Sequence, residues 1–499
     1  MKCFLYCVLM SLLCVPLQAL PAFPGAEGHS FDITGGRGGN VYHVTNLSSS
    51  GPGSFAHACA VSGPRIIVFD TCGVIWGDVT ISSGDLTIAG ETAPGGGITL
   101  AGRLWTEYSY DINNIIVRFI RIRPDDLSGN QGDAVQFSRS SNFIFDHVSV
   151  SWGSDETIDV YEAKNITFQW CTIEASATHA GHPDGEFHNY GMINGPDGGP
   201  ATIHHCLWAH HNHRTPAIAN GPSAIINNVV YNTATGFVHH NITNDAGFNF
   251  IGNYYKTGPT RTDMNPWWFD DEDENPGSYY LHDNYIDDPG DFDGVLENPW
   301  EEEYSGIYWY GGTRATTPFV VPAITISSSP VAYEMVLAKA GCLPHDTVTR
   351  RTMLDVQERS GEWGRSVPDD LFAGLERTSV PTDTDEDGMP DWFEDSIGTV
   401  ADVADDNEDL DEDGYTNIEH YLHYCAAEKM GEQPLTTTPI APYRSASFSL
   451  GANKSGQSDN ILIRLDGTRI HNPEKIEPGV YFSFPDFGFS HGVKILKKD

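Results

Sequence analysis

Positive charge is what this chain has least of: 28 Lys and Arg stand against 68 Asp and Glu, for a formal net charge of −40. So acidic a surface repels nucleic acid and anionic membranes, which argues against both as partners. A polyanionic ligand is equally hard to hold unless a divalent cation stands between the two. Long apolar runs are missing too. The one near the start, residues 4–13, is too short for a transmembrane helix. With a single Lys before it and Leu17, Gln18 and Ala19 after it, the stretch 1–19 reads as a secretory signal peptide, so a secreted or cell-surface protein is expected. Cysteine is scarce. Of nine, Cys3, Cys7 and Cys14 leave with the signal, and Cys59, Cys72, Cys171, Cys206, Cys342 and Cys425 remain for an oxidising compartment. A Cys59–Cys72 bridge and two small buried thiols both fit. No long helical period occurs before about residue 331.

What fills that space is a repeat. Short apolar runs bounded by Gly and Asn align on a strand followed by a turn at Phe145-Asp-His147, Phe168-Gln-Trp170, Ile203-His-His205, Ile226-Asn-Asn228, Ile251-Gly-Asn253 and His282-Asp-Asn284. The turn positions lie 23, 35, 23, 25 and 31 residues apart, so a unit of about 23 residues recurs with insertions, which marks a solenoid. Helix-free units with several short strands predict an all-β, right-handed parallel β-helix over residues 22–330, with coils stacked about 4.8 Å apart. Asn228, Asn253 and Asn284 then form an internal amide ladder or lie as exposed turn residues. The next column reads Val148, Cys171, Cys206, Val229, Tyr254 and Tyr285. In that column two packed thiols suit parallel geometry better than a disulfide does.

The densest chemistry lies at residues 143–161, where an alternating strand runs into a turn bearing Asp155, Glu156 and Asp159. Carboxylates this close repel one another unless a cation or a sugar-facing role compensates them. Counting onward from each reference turn places Thr178 and His179, then His213 and Arg214, in register beside Asp155 and Glu156. Acid, imidazole and guanidinium thus share one edge. Arg214 is expected about two coil spacings, on the order of 10 Å, from the acidic turn. The insertion between 170 and 205, which carries His182, Asp184, Glu186 and His188, is where this register is most exposed to error.

From residue 331 the pattern becomes an amphipathic helix ending at Gly341, then a polar helical stretch near 355–360, with linker to 382. Asp383, Asp385, Asp387, Gly388 and Glu394 match D-x-D-x-D-G-x5-E, with Asp391 at the ninth position; alternating carboxylates at this spacing wrap one Ca2+. A second loop, Asp409, Asp411, Asp413, Gly414 and Asn417, has His420 at its twelfth position and is expected to bind more weakly. Residues 383–424 are thus read as EF-hand-like or thrombospondin-type calcium loops, and 425–445 as linker. Residues 446–499 carry β-like runs. They resemble the C-terminal domain that directs proteins to type IX secretion, which implies an export machinery as partner.

Several stretches resemble the pectate lyase family, polysaccharide lyase family 1 and its relatives: Ala22-Phe-Pro-Gly-Ala-Glu-Gly28, Ile67-Val-Phe-Asp70 with Ile88-Ala-Gly-Glu-Thr-Ala-Pro94, Asp146-His-Val-Ser-Val-Ser-Trp152, and His210-His-Asn-His-Arg-Thr-Pro216. The resemblance spans roughly residues 22–375. It implies a parallel β-helix that cleaves acidic, plant-type polyuronides by β-elimination with Ca2+. The implied calcium carboxylates are Asp133, Asp155 and Asp159, and the implied proton-abstracting residue is Arg214. His179, His182, His188 and His213 are substrate-binding candidates, and a monomer is expected. Two departures stand out: Ala217 and Ala219 lie where a second basic residue is expected, and Asp184 where relatives often carry a Lys. A guanidinium, with pKa above about 12, is a poor base unless its neighbours depress it, so a histidine base stays open, and so does a clamping role for Arg214. Two other readings stay open as well: a glycan-binding β-helix without catalysis, and a pectin-active glycoside hydrolase.

Overall fold

In the computed structural model a typical repeat contributes one strand to each of three sheets. The structure describes residues 19–432, apart from 110–111, 125–130, 184, 186, 240–246, 270–276, 298–299, 301–303, 305–306 and 310–311, together with four strands between residues 461 and 498. The expected signal peptide, with Cys3, Cys7 and Cys14, lies outside the described residues, as do Asp184 and Glu186.

The first sheet has eleven strands, beginning Asn40–Val44, Arg65–Phe69, Leu86–Ala89 and Asn113–Arg118. The second has ten and the third nine. Among the described residues pairing between coils is parallel, and the sole antiparallel pair in these three sheets joins Tyr285–Asp288 to Phe292–Val295 at the far end. One coil shows the pattern: Ser141–Asp146 in the first sheet, Ser149–Ser151 in the second and Glu156–Asp159 in the third. This is the expected parallel β-helix.

Parallel pairing places like residues over one another, and the sequence supplies apolar residues at the inward positions. Phe145 pairs with Phe168 and the two rings stack at 5.0 Å. The corner between the first and second sheets is the tightest. Its first residue is left-handed in successive coils, at His147, Trp170, His205, Asn227 and Asp283, with Gly252 in the same place. Outside this corner Phe119, His147, Trp170 and His205 form a continuous ring stack.

One expectation needs correcting. Ile203 pairs with Ile225, not Ile226, so the coil from 205 to 227 is one residue shorter than the sequence alignment had it. The inward corner column is therefore Val148, Cys171, Cys206, Asn228, Asn253 and Asn284, and the amide ladder continues the thiol column. All three asparagines are buried. Cys206 N donates to Asn228 Oδ1 at 3.0 Å, Asn228 Nδ2 to Asn253 Oδ1 at 3.0 Å, and Asn253 Nδ2 to Asn284 Oδ1 at 3.0 Å. Cys171 and Cys206 are free thiols, and Cys59 and Cys72 are buried and likewise unbridged.

Helices Ser329–Lys339 and Thr347–Glu358 lie on the outer face of the second sheet, where Val336, Leu337, Met353 and Val356 meet Leu207, Val229 and Tyr231. Arg123 is buried there, bonded to Glu174 at 2.9 Å and to Asp346 at 3.3 Å. Residues 383–432 cover the first sheet: Met389, Phe393, Ile418 and Leu422 pack on Ile66, Val68 and Ala89. Helix Asn417–Met430 runs into the stretch expected to be linker, because its apolar face is covered by that sheet. Residues 441–499 form a separate unit with one antiparallel four-stranded sheet, ordered Arg469–Ile470, Ile461–Arg464, Gly479–Phe484, Lys494–Lys498. Among the described residues no helix is long and apolar enough to cross a membrane.

Asn253→Ala removes both neighbours' ladder bonds and strands buried donors on Asn228. It is expected to destabilise the fold by about 2–4 kcal/mol, read as a lower midpoint in urea unfolding with no change of slope.

Candidate active site

The third sheet sets the geometry. Glu156 pairs with Tyr190, and Tyr190 bridges to His213, so Glu156, Tyr190 and His213 stand in one file on successive coils. Close stacking here depends on Gly191, whose added Cβ would lie 2.4 Å from the Arg214 carbonyl oxygen. Arg214 itself is left-handed, φ 57°. Its side chain reaches back over the Tyr190 ring, with Cζ 4.8 Å from the centroid, and its Nη1 is hydrogen bonded to Glu156 Oε1. The two-coil separation expected from the sequence is thus closed by the length of the arginine.

This also corrects the place of His179. The long insertion moves the second coil's register, so Tyr190 occupies the position assigned to Thr178 and His179. His179 is exposed, 5.6 Å from the Phe187 ring. The same insertion folds His182 and His188 back onto the acidic turn. His188 Nε2 is 2.8 Å from Asp155 Oδ1, His182 Nε2 is 3.5 Å from the same atom, and the two imidazoles stack at 3.7 Å. His213 lies 5.4 Å from the Tyr190 ring and 5.8 Å from that of Trp268. Trp268 is half-buried on this side, whereas its neighbour Trp267 is fully buried in the core. The alternation of a strand separates the two tryptophans, one to packing and one to the edge.

Asp133, Asp155 and Glu156 bring carboxylate oxygens within 4.8 Å of one another. Asp159, expected as the third member, is held elsewhere: its Oδ1 accepts from Tyr161 N at 2.7 Å and from Ser138 Oγ at 3.1 Å. Glu156 takes its place because, as the first residue of its strand, it projects beside Asp133, whose Oδ1 accepts the Glu156 N–H at 3.0 Å. Burial pushes the Glu156 carboxyl up to about 8 despite the opposing pull of Arg214. Burial raises Asp133 as well, with Asp159, Glu156 and Asp155 adding repulsion. Asp155 goes the other way, held low first by the His188 hydrogen bond. Three converging oxygen ligands, two of them buried and raised by burial and mutual repulsion, fit a hard divalent cation such as Ca2+.

Ala217 and Ala219 are fully buried, so this chain presents no second cation there. In the acidic segment, Asp383, Asp385 and Asp387 converge, and Asp387 also meets Glu394 and Asp405. Asp391 does not join them, since its carboxylate accepts from Thr384 N at 2.8 Å and Thr384 Oγ1 at 2.9 Å. In the second loop Asp411 and Asp413 meet His420, while Asp409 accepts the Gly414 N–H and Asn417 bonds Asp405. Sequence reasoning missed Tyr190, Asp405 and the placing of Glu156 beside Asp133. Tyr190 and Asp405 carried no motif, and only the length of the 170–205 insertion hinted that another residue would face Glu156.

No protein-family model matches the chain. It is 36% identical over 412 residues to a probable pectate lyase C of Aspergillus flavus, an alignment covering 81% of this chain and 93% of that protein. To a probable pectate lyase C of Aspergillus terreus it is 37% identical over 426 residues, covering 82% and 95%. A solved pectate lyase from Bacillus sp. N165, in complex with trigalacturonate, aligns with 64% of this chain and 98% of its own at 16% identity and a TM-score of 0.42. With more than a third of its aligned residues shared with proteins matched over nearly their whole length, the chain belongs to the pectate lyase family.

Proposed function

We propose that the protein cleaves polygalacturonate-type polyuronides by calcium-assisted β-elimination at the edge formed by Asp133, Asp155, Glu156, Tyr190 and Arg214. The observation that carries this is the meeting of Arg214 with a three-carboxylate cluster across a single aromatic ring. Asp133, Asp155 and Glu156 would hold a Ca2+, which would supply positive charge to the uronate carboxylate, where negative charge grows as the C5 proton leaves. Arg214 takes that proton, the C5–H electron pair becomes the C4–C5 double bond, and the C4–O bond breaks to release the 4-linked sugar chain. Tyr190 fixes where the guanidinium stands. His182 and His188 orient Asp155, and Trp268 offers a half-buried ring on the side from which a sugar approaches.

A hydrolase needs two carboxyl groups free to flank one bond. Here Glu156 is bound to Arg214, Asp155 to His188 and Asp159 to the Tyr161 amide, which favours the lyase. Export follows from the same reading, with residues 1–19 removed as a signal and residues 446–499 addressed to a secretion machinery.

Arg214→Ala is expected to lower kcat by roughly 10²–10⁴-fold, with little change in KM, followed by ultraviolet absorbance of 4,5-unsaturated products from polygalacturonate. Saturated ends, or binding without product in the wild-type protein, would replace the lyase by one of its rivals. Chelation abolishes the absorbance and Ca2+ restores it. Glu156→Gln raises the calcium concentration for half-maximal rate by about 10–100-fold, while Asp159→Asn leaves it within about threefold. The reverse order would return Asp159 to the ion.

A further inference from the structure

We propose a second, structural calcium site, remote from the lyase edge, formed by Asp383, Asp385, Asp387, Glu394 and Asp405, which clamps residues 383–432 onto the first sheet. Two groups of carboxylates share Asp387: Asp383, Asp385 and Asp387 on the loop, and Asp387, Glu394 and Asp405 behind it. Glu394 makes the case for an ion. It is 0% exposed, and neither of its carboxylate oxygens has a hydrogen-bond partner; Asp385 Oδ2 is likewise buried and unpartnered. A carboxylate buried without a donor, facing two more carboxylates, is strongly unfavourable unless a cation completes it. Donors that are all oxygen, in number near six, select Ca2+ over softer metals.

The ligands come from three places: the loop at 383–387, helix Asp391–Ile397 through Glu394, and a second loop through Asp405. Asp405 is tied to helix Asn417–Met430 by Asn417 Nδ2 at 3.2 Å, and its N–H donates to Asp387 Oδ2 at 3.1 Å. One ion therefore fixes both helices relative to each other. Those helices supply Phe393, Ile397, Ile418 and Leu422 to the apolar layer over Ile66 and Val68, and the loop itself touches the sheet edge through Glu386 O, 3.1 Å from His43 Nε2. Gly388 is pressed between Val41 and Ile418, each 2.8 Å from where a Cβ would stand. Without the ion, repulsion among five carboxylates acts directly against this docking; with it, the segment becomes part of the wall of the solenoid.

The test is a Ca2+ titration of chelator-treated full-length protein by calorimetry, with thermal unfolding in chelator and in Ca2+, on wild type, Glu394→Gln and Asp405→Asn. Each variant is expected to bind one Ca2+ fewer than wild type and to lose a calcium-dependent rise in Tm of roughly 2–4 °C. In chelator, Glu394→Gln melts no lower than wild type, since it removes a buried like-charge repulsion. Lyase rate at saturating Ca2+ is unchanged, which separates this site from the catalytic one. The same stoichiometry and the same rise in Tm in wild type and both variants would overturn the proposal. Asp405→Asn keeps the test decisive if Glu394→Gln fails to fold.

Discussion

Parallel pairing at one fixed spacing is the constraint from which the rest of this molecule follows. Each coil must present to the next a residue of compatible size and polarity at every position, so chemistry is organised in columns. Inside, the columns are phenylalanine and isoleucine. At the tight corner one column passes from Val148 through two thiols to three amides. The amides succeed there because Asn228 donates to Asn253 and Asn253 to Asn284, whose own Nδ2 donates to the Phe250 carbonyl, satisfying groups that burial would otherwise penalise. The same rule stacks Glu156, Tyr190 and His213 on successive coils of the third sheet.

The solenoid was legible because period and turn chemistry agree along most of its length; strand type, the amide ladder and the covering helices could all be read from local pattern. What was not legible was the register across places where a coil changes length. One missing residue between 205 and 227 displaced a column, and a twelve-residue excess between 170 and 205 hid Tyr190 behind His179. Motif reading fared similarly. It singled out Asp155 and Arg214, and the paired loops after 383, because their spacing is local. It put Asp159 and Asp391 among the ligands, and spacing cannot reveal that a nearby amide or hydroxyl donates to each of those carboxylates. Glu156 and Asp405 join their carboxylate clusters through contacts with distant chain, which no local pattern encodes.

Negative charge is treated in two ways. Where a carboxylate is to stay fixed and inert, the chain supplies arginine: Arg118 between Glu91 and Asp146, and Arg123 between Glu174 and Asp346, all buried. Where carboxylates are left facing one another, at Asp133 with Glu156 and at Asp387 with Glu394, burial and repulsion both oppose their charge. In a chain with so few cations of its own, this second arrangement is the one that an ion from the medium would compensate.

The corner at His147, Trp170, His205, Asn227, Gly252 and Asp283 stays two residues long in every one of these coils, although the coils themselves differ widely in length. All the variation is therefore displaced to the other two corners, and the largest share falls where the second sheet meets the third, beside Asp155. Loop can be gained or lost there without disturbing the two-residue corner. Selectivity for a particular polymer can then change by editing one side of the solenoid while the other keeps count.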